Sequence, residues 1–143
     1  MGDYKYGNSS GNLTKYNQSD SKTVLESADD AASQIMGGNW RMPTKAECQE
    51  LLDNTTNEWT TINNVNGWKF TSKTDTSKYI FIPAAGYCLN GSVHYVGSNG
   101  RVWSSSLLTS SPDLAWGLDF NSGNCGMANS RRYSGWSVRG VRK

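Results

Sequence analysis

Histidine is almost missing from this chain, with His94 the only one in 143 residues. It stands in a Gly/Ser-rich stretch without a sequence neighbour that would make it a base or a ligand. Cysteine is scarce and odd in number: Cys48, Cys88 and Cys125 allow at most one intrachain disulfide. None of their spacings has the close ligand pairs of a zinc site, so all three read as small buried residues and no metal or other cofactor is expected. Charge is sparse as well. Only 18% of residues are charged, the net charge is +2, and no Lys/Arg run accompanies it. A surface that tracks phosphates needs clustered cations, so nucleic acid is not an expected partner, and Arg131-Arg132, Arg139 and Arg142 read as solvated. No apolar run approaches the roughly 20 residues of a membrane span, which excludes direct insertion as a helix. The start, Met1-Gly2-Asp3-Tyr4, lacks the basic-then-apolar layout of a signal peptide. An extracellular, cell-surface or virion location therefore implies another export route, or a chain trimmed from a larger anchored protein.

What is abundant is Asn, Ser, Thr and Gly, together with six Trp and seven Tyr. That mixture suits a loop-rich fold anchored by aromatics better than a helical enzyme. The length fits one domain over residues 1–143. Residues 3–22 are polar and predict irregular chain tied down by Tyr4, Tyr6, Leu13 and Tyr16. Leu25, Ala28, Ala32, Ile35 and Met36 recur at helical spacing and predict a first helix over residues 24–36, stopped by Gly37-Gly38. Thr44 with Glu47 three residues on is a capping box behind Pro43, and predicts a second helix burying Cys48, Leu51 and Leu52. Trp59 to Ile62 and Trp68 to Phe70 flank a turn at Asn63-Asn64-Val65-Asn66-Gly67, a hairpin pattern. Tyr79-Ile80-Phe81-Ile82-Pro83 predicts a central buried strand, and residues 86–100 a loop. Leu114, Trp116, Leu118 and Phe120 alternate with smaller or polar residues, the period of a strand with one buried face. Val138 and Val141 predict a closing strand. The fold class is α+β, two helices flanking a small, mostly antiparallel sheet with long loops.

Several strings add to this reading: Asn12-Leu13-Thr14-Lys15-Tyr16, Asp29-Asp30-Ala31-Ala32, Trp40-Arg41-Met42-Pro43-Thr44-Lys45-Ala46-Glu47, Phe81-Ile82-Pro83-Ala84-Ala85-Gly86-Tyr87, Trp103-Ser104-Ser105-Ser106 and Gly135-Trp136-Ser137-Val138-Arg139-Gly140-Val141-Arg142. In this order they resemble the C-type-lectin-like domains of the Fibrobacter succinogenes major paralogous domain family, from Tyr6 to Arg142. The resemblance implies a C-type-lectin-like fold. Cys48 replaces a usual aromatic, Thr55 a frequent cysteine and Gly140 a frequent proline. Read physically, these strings are scaffold, with Trp103 expected beneath the serines that follow it.

Some members resemble the variable proteins of diversity-generating retroelements, which randomise AAC codons near the C-terminus. Such codons cannot yield Lys, Glu, Gln, Met or Trp. This chain has no Glu or Gln beyond Glu58, and no Lys between Lys78 and Lys143. The resemblance thus implies a ligand-binding region over residues 107–136, with candidate positions Leu108, Ser110, Ser111, Asp113, Leu114, Gly117, Asp119, Ala128, Asn129, Ser130, Arg131, Tyr133 and Ser134. Trp136 joins them as an aromatic anchor. Independently, residues 124–136 have the Tyr, Trp, Arg, Asn and Ser mixture of a paratope loop. The expected partner is a protein or glycan receptor on a cell surface, met from a phage tip or bacterial surface. The alternative is a fixed-specificity glycan-binding domain of a secreted adhesin. Calcium-dependent sugar binding is disfavoured, since Ser111-Pro112-Asp113 lacks a second carboxylate. Formylglycine-generating enzymes share the W-R-x-P-T string but use a cysteine pair, which Cys125 lacks in sequence, so no enzyme is expected.

Overall fold

The computed structural model describes residues 5–7 and 12–143, so of the segment 3–22 Tyr4 and residues 3 and 8–11 lie outside the described residues. Among the described residues no helix is long and apolar enough to cross a membrane. The architecture of the described residues is α+β with β predominating: two short helices and small antiparallel sheets.

The first helix, α1 (Ala31–Met36), is half the length its apolar spacing predicts. Asp30 caps it, its side chain accepting from the Ser33 amide at 2.8 Å, and a cap there fixes the helix start. Residues 23–25 are drawn off to extend beside a strand instead: the Leu107 amide donates to the Thr23 carbonyl, and the Leu25 amide to the Ser105 carbonyl. The other Asp30 oxygen accepts from the Met42 amide at 2.8 Å, so one buried carboxylate stitches α1 to the chain that follows β1 (Trp40–Arg41).

The second helix, α2 (Lys45–Asn54), starts where the capping box requires. Thr44 and Glu47 exchange side-chain and backbone bonds, and Arg41 forks onto Glu47 at 2.6 and 2.5 Å. This pairing holds the Glu47 carboxyl down at about 2. Cys48 is buried beneath the helix, with Leu51 and Leu52 beside it.

Strands β2 (Thr55–Ile62), β3 (Val65–Ser72) and β4 (Tyr79–Pro83) form a meander. The β2–β3 turn is only Asn63-Asn64, both at positive φ, because two left-handed residues match the twist of a hairpin. Its aromatic cross-strand pair is Trp59 and Trp68, edge to face at 6.2 Å. The predicted central strand, β4, is at the sheet edge. Its neighbour is β3, Ile82 is buried, and Tyr79 and Pro83 are exposed. An edge tolerates the missing amide of Pro83. The predicted loop at 86–100 contains a hairpin, β5 (Tyr87–Leu89) and β6 (Ser92–His94), turned by Asn90-Gly91 at positive φ.

The largest packed sheet is a second meander of β7 (Asn99–Leu107), β8 (Leu114–Asn121) and β9 (Asn124–Arg131). Most of the expected paratope loop at 124–136 is therefore strand. Asn, Gly and Ala have poor strand propensity, and pairing with β8 overrides it. Finally β10 (Val141–Arg142) pairs with β1, while Val138 is exposed and outside the strand. The core gathers Cys48, Trp68, Phe70, Ile82, Val102, Leu118 and Phe120 between α2 and the two meanders.

Candidate functional site

Side chains alternate across a strand, so the β8–β9 register sorts the candidate residues by face. Leu114, Trp116, Leu118 and Phe120 pair with Arg131, Asn129, Met127 and Cys125 on the side that meets α2. There Lys45 places its ammonium 3.5 Å over the Trp116 ring. Ala115, Gly117 and Asp119 pair with Ser130, Ala128 and Gly126 on the opposite side.

That opposite face is small and polar because something else covers its middle. Trp136 lies on Gly117 and stacks on Trp103 with ring centroids 4.0 Å apart. Trp103 therefore packs on Trp136 rather than beneath its serines. Ser104 and Ser105 are themselves buried and bond to the carbonyls of Trp116 and Pro43. A Cβ on Gly117 would stand 2.4 Å from the Val102 carbonyl and 2.8 Å from the Trp136 ring. Gly117, Ser134 and Trp136 are buried and support the surface from below instead of presenting contacts. Arg101, which sequence reasoning passed over, sits 3.9 Å over Tyr87 and pairs with Asp119 at 3.2 Å. Asp119 lies five strand positions from Leu114, about 16 Å away.

The remaining candidates converge at the other end of the sheet. Leu108, Ser110, Ser111 and Asp113 occupy the β7–β8 loop, closed by bonds from the Ser111 amide to Leu108 and from the Leu114 amide to Ser111. Asp113 reaches the end of β9, accepting from Arg131 at 2.8 Å, and its carbonyl accepts from the Arg132 amide. Asn129 and Arg131 are exposed, while Ala128, Ser130 and Tyr133 are half-buried beside them. One surface thus combines the 108–113 loop, the edge strand β9 and Tyr133.

Sequence reasoning missed the other wall of this site. A cleft of about 440 Å³ runs between the loop and the N-terminal segment, with Pro112, Asp113 and Arg131 on one side and Asn12, Gln18 and Ser19 on the other. The segment is held in place from both ends of the chain. Arg132 donates to the carbonyls of Tyr16 and Lys15 at 3.0 and 3.3 Å. Tyr16, 1% exposed, packs on Leu107 and Ala115. Asp29 accepts from Lys15, Tyr16 and Tyr6, and these donors hold its carboxyl well below the usual range. The Asn17 side chain shapes the turn, accepting from the amides of Ser19 and Asp20. That turn chemistry was the one legible signal of an ordered loop; its position beside Asp113 depends on a contact more than a hundred residues away in sequence.

In chemical terms the cleft offers amides, hydroxyls and one exposed ion pair, which suits hydrogen bonding to a polar ligand. Cys48 and Cys125 are poor nucleophiles, since burial pushes their thiols up to about 11 and about 12. All three cysteines are free. Among the described residues no group of three or more His, Cys, Asp and Glu stands together as a cation site. His94 is exposed and lies against Tyr87 and Tyr95.

A family profile described as the Lcl C-terminal domain matches residues 7–142. The chain belongs to this family. The match runs from the N-terminal wall of the cleft through β10, so the segment 12–19 and the 107–136 region fall within one family domain. Membership supports a ligand-binding or receptor-binding module, related to C-type-lectin-like variable domains. No curated protein and no solved structure matches the chain at comparable significance.

Proposed function

We propose that this domain is a binding module with a C-type-lectin-like fold that presents the 107–136 surface to a protein or glycan receptor from a phage tip or bacterial cell surface. The observation that carries the reading is the convergence of Pro112, Asp113 and Arg131 on a cleft of about 440 Å³ whose other wall is the N-terminal segment. Contacts come from the β7–β8 loop and the edge strand β9, both resting on a packed scaffold, which is the usual division between a rigid frame and a variable contact surface. No catalytic role is assigned to any residue.

Retroelement-directed diversification belongs to the same proposal, restricted by packing. Leu108, Ser110, Ser111, Asp113, Ala128, Asn129, Ser130, Arg131 and Tyr133 have room to vary, whereas Gly117 does not. Deep sequencing of the 3′ end of the gene across a population of its host tests this directly. Substitutions confined to those positions, with Trp103, Gly117, Trp136 and Ser137-Val138-Arg139 constant, are the expected result. A uniform segment would reject diversification and leave a fixed-specificity receptor or glycan binder, whose ligand a glycan array would then seek.

A further inference from the structure

On the α2 side of the β7–β8–β9 sheet, sharing no lining residue with the cleft between the 108–113 loop and the N-terminal segment, an apolar pocket of about 430 Å³ opens between α2 and the two meanders. Its walls are the side chains of Cys48, Leu51, Ile80, Ile82, Val102 and Leu118. Four of these are buried core residues, so the pocket reaches into the core. Both its size and its lining fall in the range of small-molecule sites, which are mostly apolar with a few polar groups that orient the ligand.

Three charged side chains stand at the rim, Glu47, Glu50 and Arg139. The Glu47 carboxylate is taken by the fork of Arg41. Arg139 is exposed, and no described residue bonds to its guanidinium or pairs with it. It is two residues before Val141 in the closing segment, and both line the same pocket. Its aliphatic stem can therefore extend the apolar wall while the head stays at the mouth. Glu50 is likewise exposed without a described partner. The two free charges would select opposite head groups. A guanidinium holds a carboxylate through two parallel bonds, whereas a carboxylate meets an ammonium as a point charge, so the stronger of the two rim contacts is the one Arg139 makes.

We infer that this pocket binds an amphiphile with an aliphatic body and a single carboxylate, the chain lying between α2 and the sheet and the head on Arg139. Nothing in this inference depends on the receptor-binding surface, which lies on another part of the sheet.

Calorimetric titration of the whole domain with octanoate, decanoate and dodecanoate, each below its micelle concentration, tests it, with decanol and decylamine as head-group controls. Affinity should rise about fourfold per added methylene until the pocket is full. Decanoate should bind at least about tenfold more tightly than decanol, and Arg139→Gln should erase that advantage without shifting the melting temperature. Methyl NMR should place the perturbations on Leu51, Ile80, Ile82, Val102 and Leu118, an assignment that needs no variant to fold. Leu51→Trp, which fills the pocket, should abolish binding if its melting temperature shows a folded domain. Absence of saturable binding in the millimolar range overturns the inference. So does equal or tighter binding of decylamine or decanol, an unaltered carboxylate preference in Arg139→Gln, or shifts confined to other methyls.

Discussion

The two faces of β8 are one residue apart in sequence and opposite in physical character. Toward α2, Leu118 and Phe120 fill the core with Met127 and Cys125 of β9. Away from α2, Ala115, Gly117 and Asp119 face Ser130, Ala128 and Gly126, and larger groups from elsewhere, Tyr16 and Trp136, are laid over the first two. The first face is determined by the strand's own side chains and the second by what docks on it. The candidate contact surface belongs to neither face alone: Asn129 and Arg131 extend from the first and Ser130 from the second, at the end of the sheet beside the 108–113 loop. It remains ordered because Trp136 and Tyr16 pin its neighbours.

The sharpest way to break this contrast is to truncate one residue on each face. Phe120→Ala removes a ring that is 1% exposed and should cost about 3–5 kcal/mol in urea unfolding, while Ser130→Ala should stay within about 0.5 kcal/mol. Equal effects would mean that the faces do not differ as described. Gly117→Val tests whether the opposite face is truly closed at its centre. Its branched side chain meets the Val102 carbonyl and the Trp136 indole, so the variant should lose about 1–3 kcal/mol and change the near-ultraviolet signal of the stacked Trp103–Trp136 pair.

Acid separates the scaffold's polar clamps from its apolar core. Asp29 and Glu47 both have carboxyls held below their unfolded values, Asp29 chiefly by the Lys15 ammonium and Glu47 chiefly by the Arg41 fork. A depressed folded pKa contributes stability that is present above the unfolded value, near 4, and lost as pH falls toward the folded one. The melting temperature should therefore be level above about pH 5 and decline from there toward pH 2. Asp29→Asn should lower it at neutral pH and flatten the decline. A decline of unchanged depth in Asp29→Asn would place the acid sensitivity elsewhere. The smallest effect is expected at the cleft: Asp113→Asn breaks an exposed pair, and its melting temperature should stay within about a degree or two of the parent's, corresponding to under 0.5 kcal/mol.

The capping box at Thr44 and Glu47, the alternation of β8 and the hairpin of β2 and β3 were legible because each follows a local rule acting on nearby residues, although the turn was read as residues 63–67 and is only Asn63-Asn64. The start of α1 was not. Its apolar spacing continues back to Leu25, but Asp30 caps the helix and β7 recruits residues 23–25 by long-range pairing. Strand β9 was hidden for the same reason, its composition suggesting a loop until β8 supplies a partner. At the candidate site, the 108–113 loop was suggested only by the family resemblance and Arg131 also by residue type, whereas the burial of Gly117, Ser134 and Trp136 could not be read locally, because it is imposed by the fold of the C-terminal segment. The segment 12–19 was legible as irregular chain anchored by Leu13 and Tyr16, but its place beside Asp113 was not, since that is set by Arg132, the Asp29 cluster and the packing of Tyr16 on Leu107 and Ala115.

A display-based mutational scan of residues 107–136, read for folded abundance and requiring no ligand, tests most directly whether a tolerant surface rests on an intolerant frame. The account predicts free substitution at Ser110, Ser111, Asp113, Asn129, Ser130 and Arg131, with intolerance at Ala115, Gly117, Leu118, Phe120, Ser134 and Trp136. Uniform tolerance along the segment, or intolerance at the cleft positions matching that at Phe120, would contradict it.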